Sequence, residues 1–278
     1  MNGPSATAPG VVCVFAVTGT PPDPGALASA AGHEEGGPLR VLPAGGLCLV
    51  VQDVPAASFG EEALAERLNR PDDLERLARA HHRGVAAAAG RGPVVPLPMA
   101  TLYHGDASAV RAVASRRPVL ESLLDRLRDR TEWAVKVHAA ERDADASAQA
   151  AEASATGGRG YLSRASARRR DQRHAHGRAL GEAEAVDTEL RRFAVAATRH
   201  RPQSDRLTGR RTPQLLNGAY LVNDADRTAF TRALDRITAD GRYPVVRVES
   251  SGPWIPYSFA RWDEEPEPAA AHRREAPA

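Results

Sequence analysis

The sequence has few of the residues that usually carry chemistry or insert into membranes. Aromatic residues make up 5% of its 278 positions, which argues against a large aromatic ligand-binding wall. The two cysteines, Cys13 and Cys48, are too few for a structural zinc site or a disulfide framework, and we expect both to be buried free thiols. No apolar run approaches the roughly 20 residues of a membrane-spanning helix, and the first ten residues lack the features of a secretion signal. These absences predict a cytoplasmic protein without a membrane partner.

Motifs of catalysis and cofactor binding are also missing. The sequence contains no HExxH, no GxSxG and no GxxxxGK[ST], although four residues at 157–160 (GGRG) precede a predicted helix. His81 and His82 are adjacent on a predicted helix and point about 100° apart, so they do not converge on a metal. The sequence therefore predicts a protein that is not an enzyme and uses no cofactor and no metal.

Charge is segregated along a chain whose formal net charge is only +2. The segment Arg159–Arg211 holds 14 arginines against six acidic residues, while Asp263–Ala278 holds five acidic residues and two arginines. The basic segment makes Arg168 and Arg169 candidate partner-binding residues, and a solvated face is the simpler interpretation. A nucleic-acid-binding regulator that uses segment 159–211 is the alternative function. Against it stand the lack of a known nucleic-acid module and the scarcity of aromatic residues for base stacking.

The N-terminal half predicts a ferredoxin-like unit at residues 11–105, after a disordered segment at 1–10. Short β-rich and amphipathic segments alternate in the order strand, helix, strand, strand, helix, strand, which is typical of a split βαβ motif. The strands are predicted at Val11–Val17, Leu39–Leu42, Leu47–Asp53 and Val94–Leu97.

Residues 106–260 predict a second, α+β domain that starts with a helix. The alternation in Thr131–Ala139 predicts a strand that places Trp133, Val135 and Val137 on one face. A flexible loop at 141–160, a long helix at 161–200, strands at Gln214–Val222 and Pro244–Glu249, and a disordered acidic tail at 261–278 complete the assignment. The fold class is therefore α+β with two domains, a ferredoxin-like N-terminal α/β unit and a C-terminal α+β unit with a long helical insertion.

Two features of the second half predict which surfaces are buried. The heptad seam of the long helix is apolar from Ala179 to Ala197 and polar before it, so the helix should not pack continuously along its whole length. The segment Gly252–Phe259 (GPWIPYSF) combines two prolines with three aromatic residues. We expect this segment to be a strap, an extended stretch that packs over the sheet and buries Trp254, with an exposed partner-binding surface as the alternative. In that alternative, Trp254, Tyr257 and Phe259 are the partner-binding residues.

Four segments in this order resemble the gas vesicle GvpL/GvpF family: Thr131–Val137 (TEWAVKV), Gly158–Arg164 (GRGYLSR), Leu216–Val222 (LNGAYLV) and Gly252–Ala260 (GPWIPYSFA). The resemblance covers roughly residues 11–260, with Ile255 at a position where the family pattern suggests proline. It implies a non-enzymatic accessory protein of gas vesicle formation, associated with gas vesicles in the cytoplasm. The implied partners are the small hydrophobic shell protein, whose assembly it would assist or whose aggregation it would prevent, and other gas vesicle accessory proteins. We expect residues 11–100 to bind the shell protein, because they form a complete small sheet with exposed edges.

Overall fold

A computed structural model describes residues 11–140, 158–201, 212–239 and 241–261, and the side chains of 158–165 and 168 are outside this description. The strands are β1 (Val11–Thr18), β2 (Arg40–Ala44), β3 (Leu47–Val54), β4 (Val94–Pro96), β5 (Leu102–His104), β6 (Arg130–Ala139), β7 (Ala196–Arg199), β8 (Gln214–Asn223) and β9 (Val246–Trp254). The helices are α1 (Pro24–Ser29), α2 (Ala56–Phe59), α3 (Glu61–Leu68), α4 (Pro71–Ala88), α5 (Asp106–Ala114), α6 (Arg117–Leu127), α7 (Gly158–Arg191) and α8 (Arg227–Ala239). The two sheets are antiparallel and the fold is of the predicted α+β class.

The chain divides into two compact units. The first contains the residues up to Asp129 together with those from Ile255 onward, and the second is Arg130–Trp254. Each unit has its own sheet: β1–β5 form the first, and β6–β9 form the second.

The first sheet has the order β2-β3-β1-β4, and β5 also pairs with β1. All these pairs are antiparallel. Every residue of β1 is buried, because helices cover both faces of its sheet. This explains why β1 is a continuous apolar run rather than an alternating one.

Helix α4 packs against the face of β1 that carries Val11, Cys13 and Phe15. Pro71 begins the helix, and its first turn carries two aspartates whose negative charges interact favourably with the positive end of the helix dipole. Its buried side includes Gly84 in mid-helix, where a glycine is normally unfavourable. A methyl group on Gly84 would lie 2.4 Å from Cδ1 of Phe15, so the glycine permits this close approach of helix and strand.

The boundary expected after residue 105 differs from the observed one. Helices α5 and α6 pack against β2, β4 and β5 of the first unit, so the first unit extends to Asp129. The Arg40 guanidinium of β2 binds the Asp106 carboxylate at 2.6 Å and 3.1 Å, which holds the start of α5 to the sheet. The sequence pattern predicts a helix over 106–130 that Pro118 kinks or breaks. Pro118 lies in the first turn of α6, and the helix is interrupted between α5 and α6.

The second sheet has the order β7-β8-β6-β9, with α7 and α8 packed on one face. Trp133, Val135 and Val137 of β6 point into this core, as the alternation predicted. Opposite them lie residues from the neighbouring elements, including Val186, Leu190, Tyr220, Phe230 and Leu234.

The predicted helix at 161–200 was placed wrongly at both ends. Helix α7 ends at Arg191, and residues 196–199 form the edge strand β7. Immediately before this strand, the backbone N–H of Val195 donates to the Leu221 carbonyl at 2.8 Å. Pairing with β8 therefore overrides the helical pattern there. At the other end, Gly158–Gly160 are helical, although they were assigned to the flexible loop. The rest of that loop (141–157), the N-terminal segment 1–10 and the tail from residue 262 lie outside the described residues.

The packing of Gly84 on Phe15 predicts that Gly84→Ala destabilises the first unit by about 1–3 kcal/mol, because the added methyl group has no space. Thermal or urea unfolding would measure this loss. Gly90→Ala is the matched control, since nothing lies within 4 Å of its would-be Cβ atom. Equal melting temperatures for the two variants would contradict the close packing.

Candidate partner-binding surfaces

The His, Cys, Asp and Glu side chains of the described ranges do not gather into a metal-binding cluster. No group of three or more His, Cys, Asp or Glu in these ranges could hold a metal ion, and no described helix is long and apolar enough to cross a membrane. His81 is buried, donates from Nε2 to the Leu97 carbonyl at 3.0 Å and stacks on Phe15. His82 instead lies beside Tyr257, so the two histidines diverge as predicted. Burial lowers the pKa of His81, which keeps the ring neutral at physiological pH.

The first strand holds a buried thiol, as predicted. Sγ of Cys13 lies 3.7 Å from Nε2 of His33, and burial raises the pKa of the thiol to about 12. Burial also lowers the pKa of His33 to about 4, so the imidazole carries no charge that could activate the thiol. Both side chains therefore serve the core of the first unit.

A cleft of about 190 Å³ lies beside α4 in the first unit, and several arginines that line it already bond to neighbouring groups. Arg67 pairs with Glu35 at 3.1 Å and lies 4.9 Å from the centre of the Phe59 ring. Arg83 donates to the backbone carbonyl of Ala31 at 2.9 Å, and Arg76 pairs with Asp73. We assign no ligand to this cleft.

A buried carboxylate fixes the C-terminal half of α7. Asp187 is 2% exposed and accepts hydrogen bonds from the Tyr220 hydroxyl, from Arg191 at 2.7 Å and from Arg199 at 2.6 Å. Arg199 also forms a bidentate pair with Glu184, at 2.8 Å and 2.6 Å. Because Arg199 lies on β7 and Tyr220 on β8, the carboxylate joins the helix to two strands of the sheet.

The hydrogen bonds outweigh the cost of burying this charge. Burial alone would raise the pKa of Asp187, but the bonds from Arg191, Tyr220 and Arg199 hold it below its ordinary value of 3.8. Burial and the bond to Asp187 raise the pKa of Tyr220, so its hydroxyl stays protonated and donates. The carboxylate therefore remains charged over the physiological range.

The described side chains that precede Ala179 on α7 do not pack into the core, as the polar seam predicted. Among the described side chains from 166 to 178, none is buried, whereas Ala179, Ala183, Val186 and Leu190 are all buried. Arg169, one of the candidate partner-binding residues, is exposed on this part of the helix. The side chain of Arg168 lies outside the described residues.

The three aromatic candidates have different environments. Trp254 ends β9 and is 46% exposed, with Nε1 donating to Oγ of Ser251 at 3.2 Å. In the first unit, Tyr257 is 37% exposed and its hydroxyl lies 3.1 Å from Nδ1 of His82, while Phe259 is 6% exposed. The expected burial of Trp254 is therefore wrong, because β9 extends through Trp254 and leaves the ring at the surface. Phe259 is placed in the core and offers no ring for a partner.

Strand β9 presents an edge that the sequence did not reveal. In the described ranges β9 pairs with β6 alone, in a register that matches Val137 with Val248 and Val135 with Ser250. The N–H of Ala140 bonds to the Val245 carbonyl, and antiparallel ladders alternate bonded and non-bonded pairs. The backbone groups of Val248 and Ser250 therefore face away from β6, toward the free edge. The predicted strand ended at Glu249, so the length of this edge was missed.

The bonds to Asp187 predict that Asp187→Asn destabilises the protein by about 1.5–3 kcal/mol at pH 7, because the bonds to a charged acceptor are lost. Since the folded pKa of Asp187 is lowered, its contribution is present above pH 3.8 and is lost as pH falls through the lowered value. Urea unfolding should show that the difference in free energy of unfolding between the parent and Asp187→Asn is smaller at pH 3 than at pH 7. The same difference at both pH values would contradict stabilisation by the charged carboxylate.

The exposure of Trp254 predicts that Trp254→Ala lowers stability by about 1 kcal/mol or less, as for a surface residue. Phe259→Ala, which removes a buried ring of similar chemistry, should cost about 3–5 kcal/mol. Thermal melts of both variants make the comparison. If Trp254→Ala melts as low as Phe259→Ala, the tryptophan is a buried strap after all.

Known proteins resemble this chain over most of its length. The curated "Gas vesicle protein L" from Streptomyces sp. (strain CB03234) is 38% identical over 257 residues, which are 91% of this chain and 93% of the relative. Crystal structures of the gas vesicle protein GvpF share the fold: the one from Anabaena sp. PCC7120 has a TM-score of 0.63 and 14% identity, covering 91% of this chain and 96% of that one. The GvpF structure from Microcystis aeruginosa has a TM-score of 0.59 and 16% identity, covering 91% and 100%. The family model "Gas vesicle synthesis protein GvpL/GvpF" matches residues 11–261, and the chain therefore belongs to the gas vesicle GvpL/GvpF family.

Proposed function

We propose that this protein is a non-enzymatic accessory factor of gas vesicle formation that binds the small hydrophobic shell protein and prevents its aggregation before assembly. The observation that carries the proposal is the family match over residues 11–261, which supports a role in gas vesicle formation. Binding a self-associating apolar subunit needs a surface that can cover apolar segments reversibly. We place this activity in the cytoplasm, in association with gas vesicles and with other accessory proteins.

The free edge of β9 is the surface best suited to such a subunit. Val248 and Ser250 direct backbone donors and acceptors outward, so an extended segment could add to the sheet as a further strand. Beside this edge, Tyr243, Val246 and Val248 are only partly buried against the core of the second unit. Apolar side chains of an added strand would cover them. Trp254, exposed at the end of the same strand, is positioned as an aromatic anchor.

The first unit is the less suitable binder, although the sequence favoured residues 11–100. Its outer strand β2 contains Pro43, and Arg40 of the same strand is paired with Asp53 and Asp106. Proline and charged side chains on an edge are the features that block strand addition. Deleting residues 1–100 to test this unit would remove the sheet against which α5 and α6 pack, so point variants are the better test.

We also infer that the two compact units are separate domains and that the first is ferredoxin-like. The strand order β2-β3-β1-β4 supports this inference, since β1 and β2 both run antiparallel to β3, which lies between them. In the second unit, α7 is then the long helical insertion between β6 and β7.

Strand addition predicts that Ser250→Pro abolishes co-purification of an untagged shell subunit with the full-length protein. The substitution removes an outward N–H and places a ring at the free edge, while the bonds to β6 remain. Ser250→Ala keeps the N–H and should bind like the unmodified protein. Thermal melts of both variants should lie close to that of the parent.

The same experiment separates the possible failures. Shell binding by Ser250→Pro at the parent level, with an unchanged melt, would move the site away from β9 and toward the edge of the first sheet. No co-purification with the parent protein would overturn the proposed shell binding altogether.

A further inference from the structure

Helix α7 carries a group of arginines that form no ion pair with any described residue, unlike arginines on other helices of this protein. On α4, Arg79 pairs with Glu75 four residues away, and on α6 Arg117 pairs with Glu121 at 2.7 Å. Arg169, Arg170 and Arg173 have no acidic residue three or four positions away in either direction. Among the described residues, no ion pair forms at these three side chains, which are all exposed.

Arg169 and Arg173 share one face of α7 with a large exposed apolar side chain. The spacing from Arg169 to Arg173 and then to Leu180 is four and seven residues, so the three side chains lie within about 40° around the helix axis. They span about 17 Å along it, at 1.5 Å per residue. Leu180 is 42% exposed, one of few large apolar residues so open to solvent among the described side chains. We call Arg169, Arg173 and Leu180 the arginine–leucine stripe.

This stripe stands on a firmly held helix. The turns that follow it are packed through Ala183, Val186 and Leu190 and tied to the sheet through Asp187. Arginines at positions i and i+4 repel each other in an isolated helix, so the stripe does not stabilise α7 by itself. A helix held in this way, with two cations that form no ion pair among the described residues and one exposed apolar side chain, has the features of a preformed docking surface.

We propose that the arginine–leucine stripe binds an acidic amphipathic helix of a partner protein, whose carboxylates pair with Arg169 and Arg173 and whose apolar side chain covers Leu180. Charge complementarity selects the acidic partner. A second copy of this chain is the poorer occupant, because it would bring the same positive face against itself. Nucleic acid would pair with the arginines but would leave Leu180 without a contact. The stripe is separate from β9, and the proposal does not rest on shell binding.

The test uses the full-length protein and fluorescein-labelled helical peptides. Two ordered peptides each carry one Leu and two Glu, and the Glu residues lie seven and eleven positions from the Leu. In one peptide both Glu precede the Leu, and in the other both follow it. A third peptide has the same composition in scrambled order. Fluorescence anisotropy should show binding of one ordered peptide at least tenfold tighter than the scrambled one. Arg173→Glu should weaken this binding at least tenfold, and Leu180→Ala about fivefold.

The matched control is Arg232→Glu, which changes net charge equally at an exposed position of α8 and should leave peptide binding unchanged. All variants should melt like the parent, since the substituted side chains are exposed. A labelled DNA duplex of 18 base pairs tests the other anion. Tighter binding of DNA than of the ordered peptides, lost in Arg173→Glu and unaffected in Leu180→Ala, would overturn the proposal in favour of a nucleic-acid surface. Equal binding of ordered and scrambled peptides, or none, would also overturn it.

Discussion

The buried carboxylate of Asp187 is the interaction on which the second unit depends. A charge with 2% exposure is tolerable only when donors surround it, and here Tyr220, Arg191 and Arg199 supply them. These donors come from the helix itself, from β7 and from β8, so the carboxylate fixes the orientation of α7 on the sheet. Val186 and Leu190 supply buried apolar area, while the directional hydrogen bonds to Asp187 select one orientation of the helix on the sheet.

Helix α7 has two parts that differ in their packing against the rest of the unit. After Ala179 the helix is part of the core, and before it the helix has no buried side chain among those described. A long helix can remain regular without a packed face when a neighbouring stretch is firmly held, because helix propagation costs less than nucleation. The protein can therefore present arginines in a fixed array without sacrificing core positions to them.

The two surfaces of the second unit offer different kinds of recognition. Strand β9 offers backbone donors and acceptors beside partly buried apolar side chains, which suits an extended apolar segment of almost any sequence. The arginine–leucine stripe offers charge at defined spacing, which suits a partner selected by its acidic residues. Membership of the GvpL/GvpF family places both surfaces in a protein with a role in gas vesicle formation.

Local patterns in the sequence were sufficient for the α+β class, the inward face of β6, the buried Cys13 and the change from polar to apolar along α7. These features depend on periodicity within one segment, which the residues themselves display. Tertiary structure decided the rest. Residues 196–199 pair with β8 although their pattern continues the helix, α5 and α6 join the first sheet, and β9 continues through Trp254 to leave that ring exposed. Each depends on a partner distant in sequence, and the free energy of pairing or packing with that partner exceeds the small local preference that a short segment can express.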